Sequence, residues 1–331
     1  MGFRGKIFTL FVLVLALALI TPAFAAERQK LGDAWWTGPL QTPNAGTIPK
    51  NHWYVETYFV VEQDNGAYAN SGTKYSANSP VGRGLTGGYL NDYQSTTLFT
   101  YGVTNKFNAQ ILLGLDGAQG KQGFNCGTAG ACNNGMEVGL LRVRLPYKLH
   151  SYKEGKWAPT FTFVPEVNAP VGLGYANVWQ PGFGLWAIRP FWMPNGRILR
   201  IRASEDLFFP KGGKVTAPGT SVDFAKYGVS QFGFEYSLTK HWVPAFDFVW
   251  KYYGQNKTNG VANTCSTVFN TTTGVGSSPA ACDGRRDYRI DPALEYNFTE
   301  NTGVIFGVEL TVGGRNTTSY IAPQIALQWF K

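Results

Sequence analysis

From His241 to Lys251 the chain alternates strictly. Trp242, Pro244, Phe246, Phe248 and Trp250 occupy one parity, and Ala245, Asp247 and Lys251 are among the residues between them. Residues i and i+2 share a face of a strand, so one face is aromatic and the other is small or charged. The pattern returns in Asp287–Asn297, where Tyr288, Ile290, Pro292, Leu294 and Tyr296 oppose Asp287, Arg289, Asp291, Ala293, Glu295 and Asn297. In Gly303–Gly313 it returns again, with Val304, Phe306, Val308, Leu310 and Val312 on one face. A helix cannot use this period. After residue 26 no apolar run exceeds four residues (Tyr58–Val61), which excludes membrane-spanning helices.

The same alternation predicts twelve strands, at about 51–62, 92–103, 107–116, 135–149, 158–168, 181–193, 196–209, 226–238, 241–253, 285–298, 303–313 and 318–330. Each reaches the about 9–11 residues of a tilted transmembrane strand and exceeds the usual ~5–6 of a soluble sheet. The connectors then alternate. Short ones fall at 104–106, 150–157, 194–195, 239–240 and 299–302; long ones at 63–91, 117–134, 169–180, 210–225 and 254–284, with the brief 314–317 as an exception. An even strand count with alternating short and long connections is the signature of an outer-membrane barrel, short turns in the periplasm and long loops outside. Composition agrees. Charged residues are 15% of the chain, against about 25% in soluble domains, so the Lys/Glu-rich surface of a soluble sandwich is missing. Aromatics at 15% exclude disorder. Trp53, Trp242, Trp250 and Trp329 lie near strand ends, as an interfacial aromatic girdle requires.

The first residues read as a secretory signal peptide: Arg4 and Lys6, an apolar run Ile7–Ile20 broken only by Thr9, then Ala23-Phe24-Ala25. The expected organisation is a signal peptide over 1–25, an N-terminal extension over 26–50 and a barrel over 51–331. The extension, with Trp35 and Trp36, either folds into the barrel mouth as a plug or rests at the periplasmic interface as a tether. Two cysteine pairs, Cys126 with Cys132 and Cys265 with Cys282, each fall within one expected outer loop. Two local disulfides are the simplest pairing in an exported protein, although sequence permits three pairings.

A resemblance joins these patterns. The stretch Gly135-Met136-Glu137-Val138-Gly139-Leu140-Leu141-Arg142-Val143-Arg144-Leu145, then Ala158-Pro159-Thr160-Phe161 running to Asn168-Ala169-Pro170-Val171-Gly172, and the late Asp291-Pro292-Ala293-Leu294-Glu295-Tyr296 resemble a family of bacterial outer-membrane proteins, transporters of the phenol-degradation meta-pathway type. The resemblance implies a barrel that passes small, often aromatic or hydrophobic, compounds. Outer-membrane assembly machinery reads a terminal aromatic; here Trp329 shares a parity with Ile321, Ile325 and Leu327, whereas Phe330 is out of phase.

No catalytic, metal or cofactor site is expected. Only His52, His150 and His241 are present, all near predicted periplasmic turns, and Ser204 has no predicted histidine at its height. HExxH, GxSxG and GxxxxGK[ST] are absent. Charge at the lipid midplane costs about 2–4 kcal/mol, so mid-strand charges must face the lumen. Arg142, Arg144, Arg189, Arg200 and Arg202, with Glu166 and Asp206, are expected on one wall. Glu56, Asp247, Asp291, Glu295 and Glu309, with Lys251 and Arg289, are expected on the other. They either pair across the lumen or line a path. The net charge of +8 suits lipid phosphates or anionic solutes and requires no nucleic-acid partner. The expected protein is a narrow outer-membrane channel for small solutes, in contact with membrane lipid and assembly machinery. A structural or adhesive barrel whose loops bind outside partners is the alternative.

Overall fold

The computed structural model describes residues 28–331 except 37, 70, 77–89, 122–130, 134–136, 172–177, 212, 218–219 and 263–283. The expected signal peptide lies outside the described residues, as do Cys126, Cys265 and Cys282 and therefore both expected disulfides.

Twelve antiparallel strands form one closed barrel. They are β1 (Trp53–Tyr68), β2 (Leu90–Thr104), β3 (Phe107–Lys121), β4 (Glu137–Arg144), β5 (Thr160–Asn168), β6 (Gln180–Trp192), β7 (Ile198–Phe208), β8 (Tyr227–Tyr236), β9 (Trp242–Tyr253), β10 (Arg286–Asn297), β11 (Thr302–Arg315) and β12 (Thr317–Phe330). Consecutive strands pair around the ring, and β12 closes on β1 from Tyr54↔Phe330 to Tyr68↔Thr317. Closure leaves no edge to cover in lipid.

The alternation read from sequence is the alternation of the wall. On β9, Asp247 is 0% exposed and its neighbour Phe248 38%. Outward positions form an apolar belt that includes Phe59, Phe99, Ile111, Leu185, Phe306 and Leu327. At the short-turn rim Trp53 meets Trp329 edge-on at 4.8 Å, and Trp242 packs on Tyr296 at 4.6 Å. Phe330, of the inward parity, stacks on His52 at 5.5 Å.

Some boundaries differ from expectation. β1 runs on to Tyr68, past a bulge between Asp64 and Gly66. β4 ends at Arg144, and its path resumes as Tyr147–His150. The break falls at Leu145-Pro146, where proline has no N–H to give a ladder; the Pro146 carbonyl still accepts Asn108 N–H at 3.0 Å. The β11–β12 turn is a single residue, Asn316, at φ 53°, a left-handed conformation that asparagine tolerates better than most residues. Beyond the barrel, Gly213–Ala217 and Thr220–Asp223 from the β7–β8 loop join Lys257–Thr258 and Val261–Ala262 from the β9–β10 loop in a four-stranded sheet.

Residues 28–50 run through the barrel interior. Gln29 starts at the short-turn end, where its N–H meets the Gly196 carbonyl at 3.0 Å and its carbonyl accepts the Trp192 indole at 2.8 Å. The segment then rises: Leu40 is buried against Ala245, Ala293, Ile305 and Ala326 of four adjacent strands. It returns along the opposite wall, where Ala45 packs on Val164 and Trp186. It leaves at Lys50, whose N–H meets Asn105 Oδ1 at 2.9 Å in the β2–β3 turn.

Candidate functional site

The interior holds three clusters of charge, each built from cross-strand neighbours on inward positions. On β7 and β8, two arginines fork onto one carboxylate. Arg200 reaches Glu235 with Nε at 2.6 Å and Nη2 at 2.5 Å; Arg202 reaches it with Nε at 2.8 Å and Nη2 at 3.0 Å. Glu295 faces the same carboxyl group from β10. The Trp36 ring covers the Arg200 guanidinium at 4.3 Å.

On β4 and β5 the arrangement repeats. Arg144 Nε donates to Glu166 at 3.0 Å, Arg142 Nη1 stands 3.6 Å from the same oxygen, and Arg142 Nε donates to Asn168 at 2.5 Å. Across β6, the Trp186 indole donates to Asp206 at 2.8 Å. On β10 and β11, toward the long-loop end, Arg289 holds Asp287 at 2.9 and 3.0 Å and Glu309 at 3.0 Å; Tyr320 also donates to Glu309. Ion pairs of this kind are held by several hydrogen bonds each, the condition under which burial of charge is tolerated.

Between the clusters lies an acidic pair. Asp247 and Asp291 are direct register partners on β9 and β10. Asp247 accepts the N–H of Gln41 at 2.9 Å, the N–H of Thr42 at 3.3 Å and the Thr42 hydroxyl at 2.5 Å. Asp291 accepts the amide of Gln324, whose oxygen takes the Gln41 side chain at 3.4 Å. Two glycines make room for this contact: a Cβ on Gly233 would strike Asp247 and Thr42, and one on Gly307 would strike Leu40 and Asp291.

Arg142, Arg144, Arg200, Arg202, Glu56, Asp247, Asp291, Glu295 and Glu309 thus share the inward parity of their strands. Arg189 is a correction. It shares the parity of Leu185, which is exposed, and of Phe191, on whose ring it lies at 4.7 Å. It pairs in register with Ile201 on the outer wall, three residues from the short-turn end of β6, so it faces outward at the rim. From that position a long arginine reaches the polar interface without a midplane cost. The arginines also do not form an open basic wall, because each pair converges on a carboxylate. Glu235, which anchors one pair, was not among the expected charges. Its parity with Gln231 and Gly233 in β8 was the available signal. Gln41 and Thr42 had no signal, since that segment has no period.

Cavities lie beside these clusters among the described residues. One of about 510 Å³ runs beside the N-terminal segment along β1–β3, from Phe330 and Trp36 to Arg142 and Lys251. A second of about 340 Å³ lies toward the long-loop end, between Gly139, Asn168, Tyr227 and Arg285. They share Arg142, Val229 and Lys251 as lining residues.

Ser204 donates to Gln231 at 2.9 Å. His52, His150 and His241 each bond a backbone carbonyl near the short-turn end. Among the described residues no three His, Cys, Asp or Glu side chains converge as metal ligands would.

No family model matches the chain, and no curated protein does. Among solved structures it is similar to an outer membrane channel from Pseudomonas putida F1, with a TM-score of 0.65 and 12% identity over 89% of this chain and 100% of that one. The NanC porin matches at a TM-score of 0.44 and 8% identity, over 82% of this chain and 98% of that one. At 12% identity the likeness to the channel is one of fold: this chain is an outer-membrane-type β-barrel of twelve strands.

Proposed function

We propose that the protein is a narrow channel that passes small solutes, aromatic or hydrophobic ones among them, across the outer membrane, with residues 28–50 acting as its plug. The observation that carries this reading is the meeting of the two cavities at Arg142, Val229 and Lys251. Together they follow the interior from the short-turn end to the long-loop end beside the plug. A barrel with a purely structural task has no need of that space. The lining mixes charge with aromatic faces, which suits solutes too polar for lipid and too apolar for a wide aqueous pore. The arginine–carboxylate clusters hold the wall open, and the plug sets the bore. A catalytic role has no support in the Ser204 surroundings. Trp329 and Phe330 would serve as the terminal signal to assembly machinery.

Single-channel recording in planar bilayers tests the proposal. Discrete conductance steps are expected, small beside those of general porins. A folded barrel that remains silent at all voltages overturns it. One observation favours a second activity, external binding: the loop sheet that joins the β7–β8 and β9–β10 loops presents Val261 at 72% exposure. Removing 213–223 would abolish such binding and leave conductance intact.

A further inference from the structure

A row of cations stands on the outer wall at the long-loop end, along neighbouring strands. Arg286 opens β10, Arg315 closes β11, and the two are register partners. Arg286 shares the parity of Tyr288 and Ile290, opposite to that of the buried Asp287 and Arg289, so it points away from the lumen. Lys226 precedes β8 with the parity of Gly228, whose register partner is the outward Tyr252. Lys211 follows β7 with the parity of Phe209 and pairs with Trp179, which is 54% exposed. All four cations are exposed.

Aromatic rings lie along the same edge of the wall. Trp250 packs against Tyr252 at 5.3 Å and Tyr288 at 6.2 Å, and Phe183 stacks on Phe209 at 6.0 Å. Such a girdle marks the membrane–water interface, and Arg286 comes two residues beyond Tyr288 on β10, at the level of lipid headgroups. The Tyr252 ring leans from β9 across Gly228, where a Cβ would strike it, and its hydroxyl donates to Glu205 on β7 at 2.5 Å. It therefore leans away from Arg286, its register partner on the other side. Glu205 is the one carboxylate among the outward positions of β7–β11, and Ser230 and Tyr252 both donate to it. Asp223 belongs to the loop sheet, opposite Lys257. Arg315 has a further interaction of its own, whereas Arg286 has no hydrogen bond or ion pair among the described residues. At the same end of β1 and β2 the outward register partners are Gln63 and Asn91, both uncharged.

Like charges directly opposite one another on neighbouring strands destabilise a sheet. Reaching for the interface accounts for a lone rim arginine such as Arg189, but not for two that face each other. An anion between them turns the repulsion into attraction. The Cβ atoms of such a pair stand about 4.5–5.5 Å apart, so both guanidinium forks can hold one phosphate.

We propose that this row docks the phosphates of an outer-leaflet glycolipid, one of them held between Arg286 and Arg315, with the acyl chains along the aromatic girdle. A lipid is the source because the row lies outside the barrel wall, directly beyond rings that border the hydrocarbon. The site goes beyond the channel reading and stands whether or not the lumen conducts.

The test titrates the full-length barrel, in a zwitterionic detergent, with diphosphoryl lipid A and follows occupancy by native mass spectrometry. Lipid A should bind saturably, and the same glycolipid without its phosphates at least about tenfold more weakly. Arg286→Gln combined with Arg315→Gln should weaken lipid A about tenfold or more. Lys106→Gln, at the short-turn end, should change nothing. Heat-dependent electrophoretic mobility shows whether each variant is folded; if the double variant is not, Lys226→Gln and the comparison of the two lipids carry the test. Equal binding of the two lipids, or equal weakening by Lys106→Gln, overturns the site. Displacement of lipid A by inorganic phosphate at equal concentration would assign the row to free phosphate and overturn the lipid.

Discussion

The carboxylate of Asp247 accepts the hydroxyl of Thr42 at 2.5 Å, deep inside the barrel and far from either residue in sequence. With the two N–H groups of Gln41 and Thr42 on the same carboxylate, three hydrogen bonds attach the N-terminal segment to the wall at this one side chain. Hydrogen bonds to a charged acceptor contribute about 1.5–3 kcal/mol each, so this point governs whether the segment stays seated. The smallness of Gly233 beneath it allows the approach.

Thr42→Val removes the hydroxyl donor and nothing else. The displaced state of the segment should rise about tenfold or more in population, and single-channel traces should become noisier and larger. Asp247→Ala removes all three bonds and should exaggerate the effect, while heat-resistant electrophoretic mobility shows the barrel intact. Traces identical to the parent for both variants would show that the segment does not govern the bore.

A different outcome is expected for Glu235→Gln. Arg200 and Arg202 both rest on Glu235, which is fully buried. Breaking a buried pair from one side costs about 3–5 kcal/mol, because the remaining charge is left uncompensated. Urea unfolding followed by tryptophan fluorescence should show a loss of that order. Glu235→Gln combined with Arg200→Gln should recover part of it. Equal stability of Glu235→Gln and the parent would mean that water in the lumen solvates these arginines.

How much of this was legible in sequence depends on whether a residue obeys a period. The inward or outward direction of Asp247, Asp291, Glu295 and Arg202 follows from parity, since a strand allows only two directions. Arg189 shows where the rule needs help: parity alone places it outward, and the assumption that every strand-borne charge faces the lumen misplaced it, because charge near the rim escapes to the interface. Glu235 follows the same parity, inward with Gln231 and Gly233. The contact of Thr42 with Asp247 was not readable. The segment carrying Thr42 has no regular backbone pattern, and its place was set by small inward residues, Gly233 and Gly307, on distant strands.

Sidedness can be checked with single cysteines in a variant lacking the four native ones. Lys153 lies in the short connection before β5, and Asn259 in the loop sheet between β9 and β10; both are exposed. A membrane-impermeant maleimide applied to intact cells should label Asn259→Cys and spare Lys153→Cys. The reverse pattern would invert the barrel.

Ion selectivity separates arginines that line the path from those that only brace the wall. Arg142 and Arg144 share a single carboxylate, Glu166, and Arg144 holds it at 3.0 Å while Arg142 stands 3.6 Å away. Arg142 is the more loosely held of the two, with Glu166 at 3.6 Å and Asp206 as a second carboxylate facing it, and it lines both cavities where they meet. Arg200 differs: it holds Glu235 through two nitrogens, Glu295 adjoins the same carboxyl, and Trp36 covers its outer face. Fixed charge at a constriction enriches counter-ions there. Arg142→Gln should accordingly shift the reversal potential of the reconstituted pore, under a KCl gradient, toward the potassium equilibrium value. Arg200→Gln should leave the reversal potential close to that of the parent and lower stability instead. A shift in both variants would place Arg200 on the path as well. A reversal potential unmoved by Arg142→Gln would remove Arg142 from it, and the β4–β5 cluster would then act only as a brace.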